Sequence, residues 1–305
     1  MGAADVVPGV SGGTIAFISG IYKELIDSIN KFDLKTILSV RKNGIKATWA
    51  ALNGNFLLAL ISGIFISILT FSKVITFLLD NHPILVWSFF FGLVLASILL
   101  IWKQITHWKY YSLFALLLGT FVSYYITIAK PVASPDSLPY LFLSGFVAII
   151  AMILPGVSGA FILLLMGSYQ TVIGTINQFR EGIASFNMEI LGQAMIKLMT
   201  FAVGAILGLK LFSKILHWMF AHHKNTTLAV LIGFMIGSLN KIWPWKQVLE
   251  TRLNSHGEVV PFLEKSILPQ HFEGNPQIIG AIVMVLFGFI LIVGLEKIAA
   301  KLGKN

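Results

Sequence analysis

The chain has 305 residues, of which 56% are hydrophobic and 11% charged, and its formal net charge is +9. A soluble domain carries about 25% charged residues, so this chain lacks the polar surface of a soluble protein. Its apolar runs are continuous rather than alternating, which argues against a transmembrane β-barrel and indicates an all-α protein with several membrane spans. The basic residues lie in loops that flank these runs, which favours contacts with membrane lipids over nucleic-acid binding.

Six apolar runs are long enough for a helix that crosses a bilayer, which takes about 20 residues. Two other segments, 4–30 and 139–177, contain a Pro-Gly pair within an apolar stretch. Only 15 residues, 140–154, precede the pair in the second segment, which is marginal for a crossing. We therefore predict that each segment is a re-entrant helical hairpin, which enters and leaves the membrane on the same side. The six predicted spans are 55–79, 84–102, 111–129, 195–220, 227–243 and 277–295.

Two polar segments complete the chain. Segment 30–55 interleaves apolar and basic residues, as a helix on a membrane surface does. Segment 244–276 is polar and contains four prolines, which predicts an extramembrane loop. No soluble domain is predicted, so residues 1–305 are expected to form a single transmembrane domain.

The two Pro-Gly segments are copies of one another. "PGVSG" occurs at 8–12 and at 155–159, and twelve of the 25 positions from 8 to 32 are identical at this offset. A weaker similarity relates "FSK" at 71–73 to "FSK" at 212–214. A similar membrane-type composition of the two segments would explain scattered matches. It does not explain five identical consecutive residues whose neighbours also match at the same offset.

These similarities predict two repeats, 1–130 and 138–297, each a re-entrant hairpin followed by three transmembrane helices. An odd number of crossings in each repeat gives the two copies opposite orientations, which is typical of secondary transporters. Eleven Lys and Arg residues lie in the loops on one side and five on the other. The richer side is expected to face the cytoplasm, across the cytoplasmic membrane.

The repeated motif predicts a helix that starts inside the membrane. Proline ends a preceding helix, and the glycine after it permits a sharp reversal. The motif serine is a suitable N-cap, and the residues after it offer free N–H groups and the positive end of a helix dipole to an anion. The predicted turn residues are Pro8, Gly9, Pro155 and Gly156, and the predicted phosphate-binding residues are Ser11, Gly12, Gly13, Thr14, Ser158 and Gly159.

The two copies are not equivalent. The second has Ala160 and Phe161 where the first has Gly13 and Thr14, so it is less polar and need not bind an anion equally well. A structural interpretation also stays open, in which the two motifs are tight turns that pack against each other.

Ionisable residues in apolar segments are functional candidates. Lys210 lies deepest and is the predicted cation for a phosphate, whereas Lys73 and Lys214 lie near span ends, where snorkelling also explains them. Asp5 is a candidate coupling residue or charge partner, or part of a solvated terminus. The seven histidines show no ligand spacing, so neither a metal nor a cofactor is predicted.

The stretches "MGAADVVPGVSGGTIAFISGIY" and "LPGVSGAFILLLMGSY" resemble those of the PopT-type polyprenyl-phosphate (undecaprenyl-phosphate) transporters of bacteria and archaea. The resemblance extends over essentially the whole chain. It implies flipping of the carrier lipid phosphate from the outer to the cytoplasmic leaflet, which recycles it for cell-envelope synthesis. It also implies polyprenyl phosphate as the partner and leaves the oligomeric state open. The residues of this chain that match the motif of the family are Asp5, Pro8, Gly9, Ser11, Gly12, Gly13, Thr14, Pro155, Gly156, Ser158 and Gly159.

Members of that family usually carry an apolar segment before the first motif, whereas Met1 lies just before it here. We therefore expect either a start further upstream or a first hairpin without its entering arm. Two other functions are weighed: an intramembrane polyprenyl-pyrophosphate phosphatase and a small-anion transporter. A phosphatase needs an arginine beside its serine, and none lies close in sequence to Ser11 or Ser158, so we predict that the protein is not an enzyme.

Overall fold

The computed structural model describes residues 1–2, 11–33, 36, 38–132, 134–135, 137–253 and 259–302. The elements of this part are mostly helical. In chain order they are α1 (Gly12–Ile18), α2 (Tyr22–Lys31), α3 (Val40–Ala51), α4 (Gly54–Asn81), α5 (Pro83–Trp102), α6 (Tyr110–Ile128), α7 (Leu138–Ile153), α8 (Gly159–Leu165), α9 (Tyr169–Ala184), α10 (Met188–His222), α11 (Lys224–Ser238), β1 (Lys246–Leu253), β2 (Val259–Ser266), a 3₁₀ turn (Pro269–His271) and α12 (Ile278–Leu302).

Four of these helices, α4, α5, α6 and α10, are long and apolar enough to cross a membrane. They contain the predicted spans 55–79, 84–102 and 195–220, and all of 111–129 except its last residue. Helices α8 and α9 qualify as a fifth span only when taken together, and they meet at an angle of 107°. The chain is therefore an integral membrane protein, as its composition predicts.

The predicted span 227–243 is wrong at its end, because α11 stops at Ser238. Its 15 residues extend about 22 Å, which is less than the ~30 Å hydrocarbon core of a bilayer. Beyond the helix the chain turns, and the Asn240 amide donates a hydrogen bond to Thr127 Oγ1 at 2.7 Å. Lys241 consequently lies in a turn and not in a membrane helix.

The predicted loop 244–276 contains a β-hairpin that the sequence analysis did not anticipate. Strands β1 and β2 pair antiparallel, with Pro261 opposite Thr251. Proline is compatible with this pairing because both strands of a two-stranded sheet are edge strands. The hairpin is tied to the helices by the indole N–H groups of Trp243 and Trp245, which donate to the carbonyls of Ile267 and Pro276, each at 2.8 Å.

Segment 30–55 contains α3, in which Thr48 is the one buried residue of the helix. Gly44 breaks the helix with φ 77°. The amphipathic pattern of this segment thus forms a helix that is largely exposed, and its place on a membrane surface stays a prediction.

Helix α6 packs against α11 and α5 against α12, and these are two of the three most extensive helix contacts of the described structure. Glycines let the backbones approach in both pairs. Gly92 faces the Val285 carbonyl and Gly288 faces that of Phe89, while Gly233 faces the Leu116 carbonyl and Gly119 that of Val230. In each of the four helices, the glycine and the residue whose carbonyl faces the partner helix are three residues apart. The two interfaces therefore use corresponding positions of the two halves of the chain. Helix α7 packs along α10, and α2 crosses from the first half to contact α10 as well.

Candidate functional site

The two copies of the motif meet in the structure. The Gly156 N–H donates a hydrogen bond to Thr14 Oγ1 at 2.8 Å, across 142 residues of sequence. Ser11 Oγ donates to the Met152 carbonyl at 3.1 Å. The Tyr22 hydroxyl donates to the Ile153 carbonyl at the same distance. The first motif and Tyr22 are thus bonded to the end of α7 and to the turn of the second motif.

Both motif serines cap helices, as the sequence predicts. Ser11 has an extended backbone, and its hydroxyl accepts a hydrogen bond from the Gly13 N–H at 3.1 Å. Ser158 is also extended and accepts from the Phe161 N–H at 3.5 Å. The extended backbone at each serine starts the next helix in a new direction.

The second motif ends the helix before it, as the sequence predicts. Helix α7 ends at Ile153, and Leu154 is extended before Pro155, as the proline ring requires. Gly156 has φ +89°, and a Cβ there would lie 2.6 Å from Ser238 Oγ at the end of α11. Glycine is needed both for this backbone conformation and for the approach to α11.

Gly13 and Ala160 occupy matching positions in the two copies but have different surroundings. A Cβ on Gly13 would lie 2.6 Å from the Ile153 carbonyl oxygen and 3.0 Å from that of Met152. Ala160 is exposed. At this position of the described structure the first copy lies against the end of α7 and the second is exposed, which explains why one has glycine where the other has alanine.

The predicted phosphate-binding groups of the first motif form a closed interface in this conformation. Ser11 and Thr14 are 2% and 1% exposed, and Gly12 and Gly13 are buried with them. Their hydroxyls bond to the other hairpin, as the structural interpretation of the turns expects. Ser158 and Gly159 are half-buried at the start of α8. The side chains of Ser11 and Thr14 are therefore closed to solvent in this conformation.

Lys210 is not brought to the motifs. Its amine donates to the carbonyls of Ile29 at 3.3 Å and Asn30 at 3.1 Å. These carbonyls are at the C-terminal end of α2, where a cation is favoured by the helix dipole. Tyr22, which bonds to Ile153 just before the second motif, lies at the other end of the same helix, seven residues or about 10 Å from Ile29.

The remaining predicted residues do not join the site within the described structure. Lys73 and Lys214 are exposed. Asp5, Pro8 and Gly9 lie outside the described residues.

Three charged residues near the second motif were missed by the sequence analysis: Lys241, Lys246 and Glu264. Lys241 Nζ lies 4.6 Å from the centre of the Phe161 ring, two residues after the motif, and 3.2 Å from Glu264 Oε2. A signal for Lys241 was present, since an ionisable residue inside a predicted span is a functional candidate. The pairing of β1 with β2 brings Lys246 near Glu264, and a segment interpreted as a loop does not predict that contact.

Comparison with known proteins now identifies the family. Residues 1–260 match the sequence model of a family described as undecaprenyl phosphate translocase-like. The chain belongs to this family. It is 44% identical over 305 residues to a polyprenyl-phosphate transporter of Vibrio cholerae serotype O1, covering 99% of this chain and 94% of the relative. It is 31% identical over 258 residues to a polyprenyl-phosphate transporter of Staphylococcus aureus, covering 80% and 83%. No solved structure matches the chain.

Proposed function

We propose that the chain carries polyprenyl phosphate across the cytoplasmic membrane from the outer to the inner leaflet. Both curated relatives are named polyprenyl-phosphate transporters. The observation that carries the proposal is the hydrogen bond between Gly156 and Thr14, which joins the two copies of the motif. Transporters built from repeats bind their substrate at the repeat interface, near half-helix N-termini.

The corresponding glycine contacts of the two helix pairs support an inverted repeat. Gly92 of α5 packs on α12, and its counterpart Gly233 of α11 packs on α6. Each repeat thus places its second helix against the third helix of the other repeat. Two units related by a two-fold axis make this reciprocal exchange, and the odd number of predicted crossings in each unit orients that axis in the membrane plane.

The hydrogen bonds of the closed interface can be exchanged for bonds to a phosphate. The Thr14 hydroxyl and the Gly156 N–H satisfy each other when the hairpins are closed, so neither is buried without a partner. When the hairpins separate, both groups and the Ser11 hydroxyl become free to bond phosphate oxygens. The prenyl tail stays in the bilayer, where α4 is mostly exposed and apolar.

An asymmetry between the repeats supports alternating access. The Asn30 amide donates to the Ser213 carbonyl at 2.9 Å, and Ser213 Oγ donates to Asn30 Oδ1 at 3.3 Å. The repeat aligns Asn177 with Asn30 and Ser72 with Ser213. Asn177 is exposed, and no described residue hydrogen-bonds to its side chain. The end that we assign to the cytoplasm is therefore closed here, and pairing of Asn177 with Ser72 is expected when the other end closes.

The experiment is a leaflet assay with purified protein in liposomes. We expect the protein to move long-chain polyprenyl phosphate between leaflets and to leave inorganic phosphate outside. Transport of inorganic phosphate alone contradicts the lipid substrate. Release of phosphate from a polyprenyl pyrophosphate, abolished in Ser11→Ala, instead shows a phosphatase and contradicts transport as the function.

A further inference from the structure

A largely buried charge cluster lies where the β-hairpin meets the second motif. Lys241 Nζ is 3.2 Å from Glu264 Oε2, and Lys246 Nζ is 3.7 Å from the same oxygen. Two ammonium groups therefore share one carboxylate, and the cluster carries a net positive charge. Burial alone would raise the pKa of Glu264, but the two lysines outweigh it and hold that pKa below its usual range.

The amine of Lys246 is short of acceptors. Its side chain is 8% exposed, and Nζ makes no hydrogen bond within the described part of the chain. It lies 3.5 Å from the centre of the Trp87 ring, a cation–π contact that favours the charge but leaves the three N–H donors unused. Burial lowers the pKa of Lys246 to about 8, and the Glu264 charge opposes that effect. A buried cation with unused donors strongly favours an anionic ligand.

Apolar walls adjoin the charges. Lys241 and Glu264 line one groove together with hydrophobic side chains, whereas Lys246 adjoins the groove through its contact with Glu264. Phe161, which lies under the Lys241 amine, belongs to α8 and so connects the groove to the motif. A charged patch beside a hydrocarbon wall matches a ligand with an anionic head and an apolar tail. The hydrophobic members of the wall are Phe161, Leu164, Leu165 and Leu263.

We propose that Lys241 and Lys246 form a second phosphate subsite, which receives the headgroup of a prenyl phosphate before the headgroup reaches the motifs. The cluster lies beyond Ser238, at the opposite end of α11 from its turn with α10, near which the Asn30–Ser213 contact is closed. Glu264 competes with the phosphate for the same two ammonium groups, which keeps binding weak enough for the headgroup to move on. This inference rests on the proposed function.

The test measures binding of farnesyl phosphate to the full-length purified protein, with farnesol and inorganic phosphate as comparison ligands. Removing one charged donor from a phosphate costs about 1.5–3 kcal/mol, so Lys241→Met and Lys246→Met are each expected to weaken binding at least ~10-fold. Glu264→Gln is expected to tighten binding, because it keeps both lysines and removes their competitor. Lys265→Met, on the neighbouring exposed residue of β2, is the matched control and is expected to bind as the wild type does.

A cluster that only attaches the hairpin gives different results. Methionine at Lys246 then leaves binding unchanged and changes stability little, because Glu264 keeps its ion pair with Lys241. Three results would each overturn the inference. They are unchanged binding in Lys246→Met, weaker binding in Glu264→Gln, and an affinity for inorganic phosphate equal to that for farnesyl phosphate.

Flux measurements separate this inference from the proposed function. If the wild type moves long-chain polyprenyl phosphate and the lysine variants reach half-maximal flux at the same substrate concentration, the second subsite is refuted and the transporter stands. If the wild type moves no polyprenyl phosphate, the proposed function itself is refuted.

Discussion

Replacement of Gly13 by alanine tests whether transport depends on close approach of the two hairpins. The added Cβ would lie 2.6 Å from the Ile153 carbonyl oxygen, whereas non-bonded carbon atoms pack best at about 3.5–4.0 Å. The hairpins must therefore separate by roughly 1 Å or deform. Overpacking of this kind costs about 1–3 kcal/mol. That energy corresponds to an approximately 5- to 150-fold lower population of the closed arrangement.

The assay compares thermal stability in detergent and lipid flux in liposomes. Gly192→Ala on α10 is the matched control, because a Cβ there has nothing within 4 Å. Alanine favours a helix over glycine by about 0.5–1 kcal/mol at either position, so the difference between the variants isolates the contact. We expect Gly13→Ala to be less stable than Gly192→Ala and to transport more slowly. Equal stability and flux in the two variants would refute the reasoning.

Three further outcomes are expected. Thr14→Val leaves the Gly156 N–H without an acceptor, which costs about 1–3 kcal/mol of stability. It should therefore lower the melting temperature and the flux, whereas Thr14→Ser should preserve both. Asn30→Ala should lower stability and flux, but Asn177→Ala should lower flux alone; normal flux in Asn177→Ala contradicts the alternating contact. Burial lowers the pKa of Lys246 to about 8 from 10.5, so the unfolded chain binds more protons between these values. The stability of wild type relative to Lys246→Met should therefore rise with pH across that window, and a flat difference in melting experiments would contradict the burial of this amine.

Much of the local structure could be predicted because its causes are local. Pro155 ends α7, Ser11 and Ser158 cap the helices after them, and continuous apolar runs form α4, α5, α6 and α10. Each follows from the residue itself and its near neighbours. The duplicated motif could also be read from the sequence, because "PGVSG" occurs twice in the chain. The end of α11 could not be placed in this way, since its apolar run continues beyond Ser238 into a turn held by Thr127 on another helix.

The sequence by itself determined that this is a membrane protein with two copies of one helix-starting motif. The tertiary structure alone decided what those copies touch. Thr14 meets Gly156, while Lys210 bonds to the far end of α2 instead of to the motifs. The tertiary structure also brings Lys241, Lys246 and Glu264 close together beside the second motif. The physical reason is that hydrogen bonds and ion pairs act over a few ångströms of space, whereas these partners lie tens to more than a hundred residues apart along the chain.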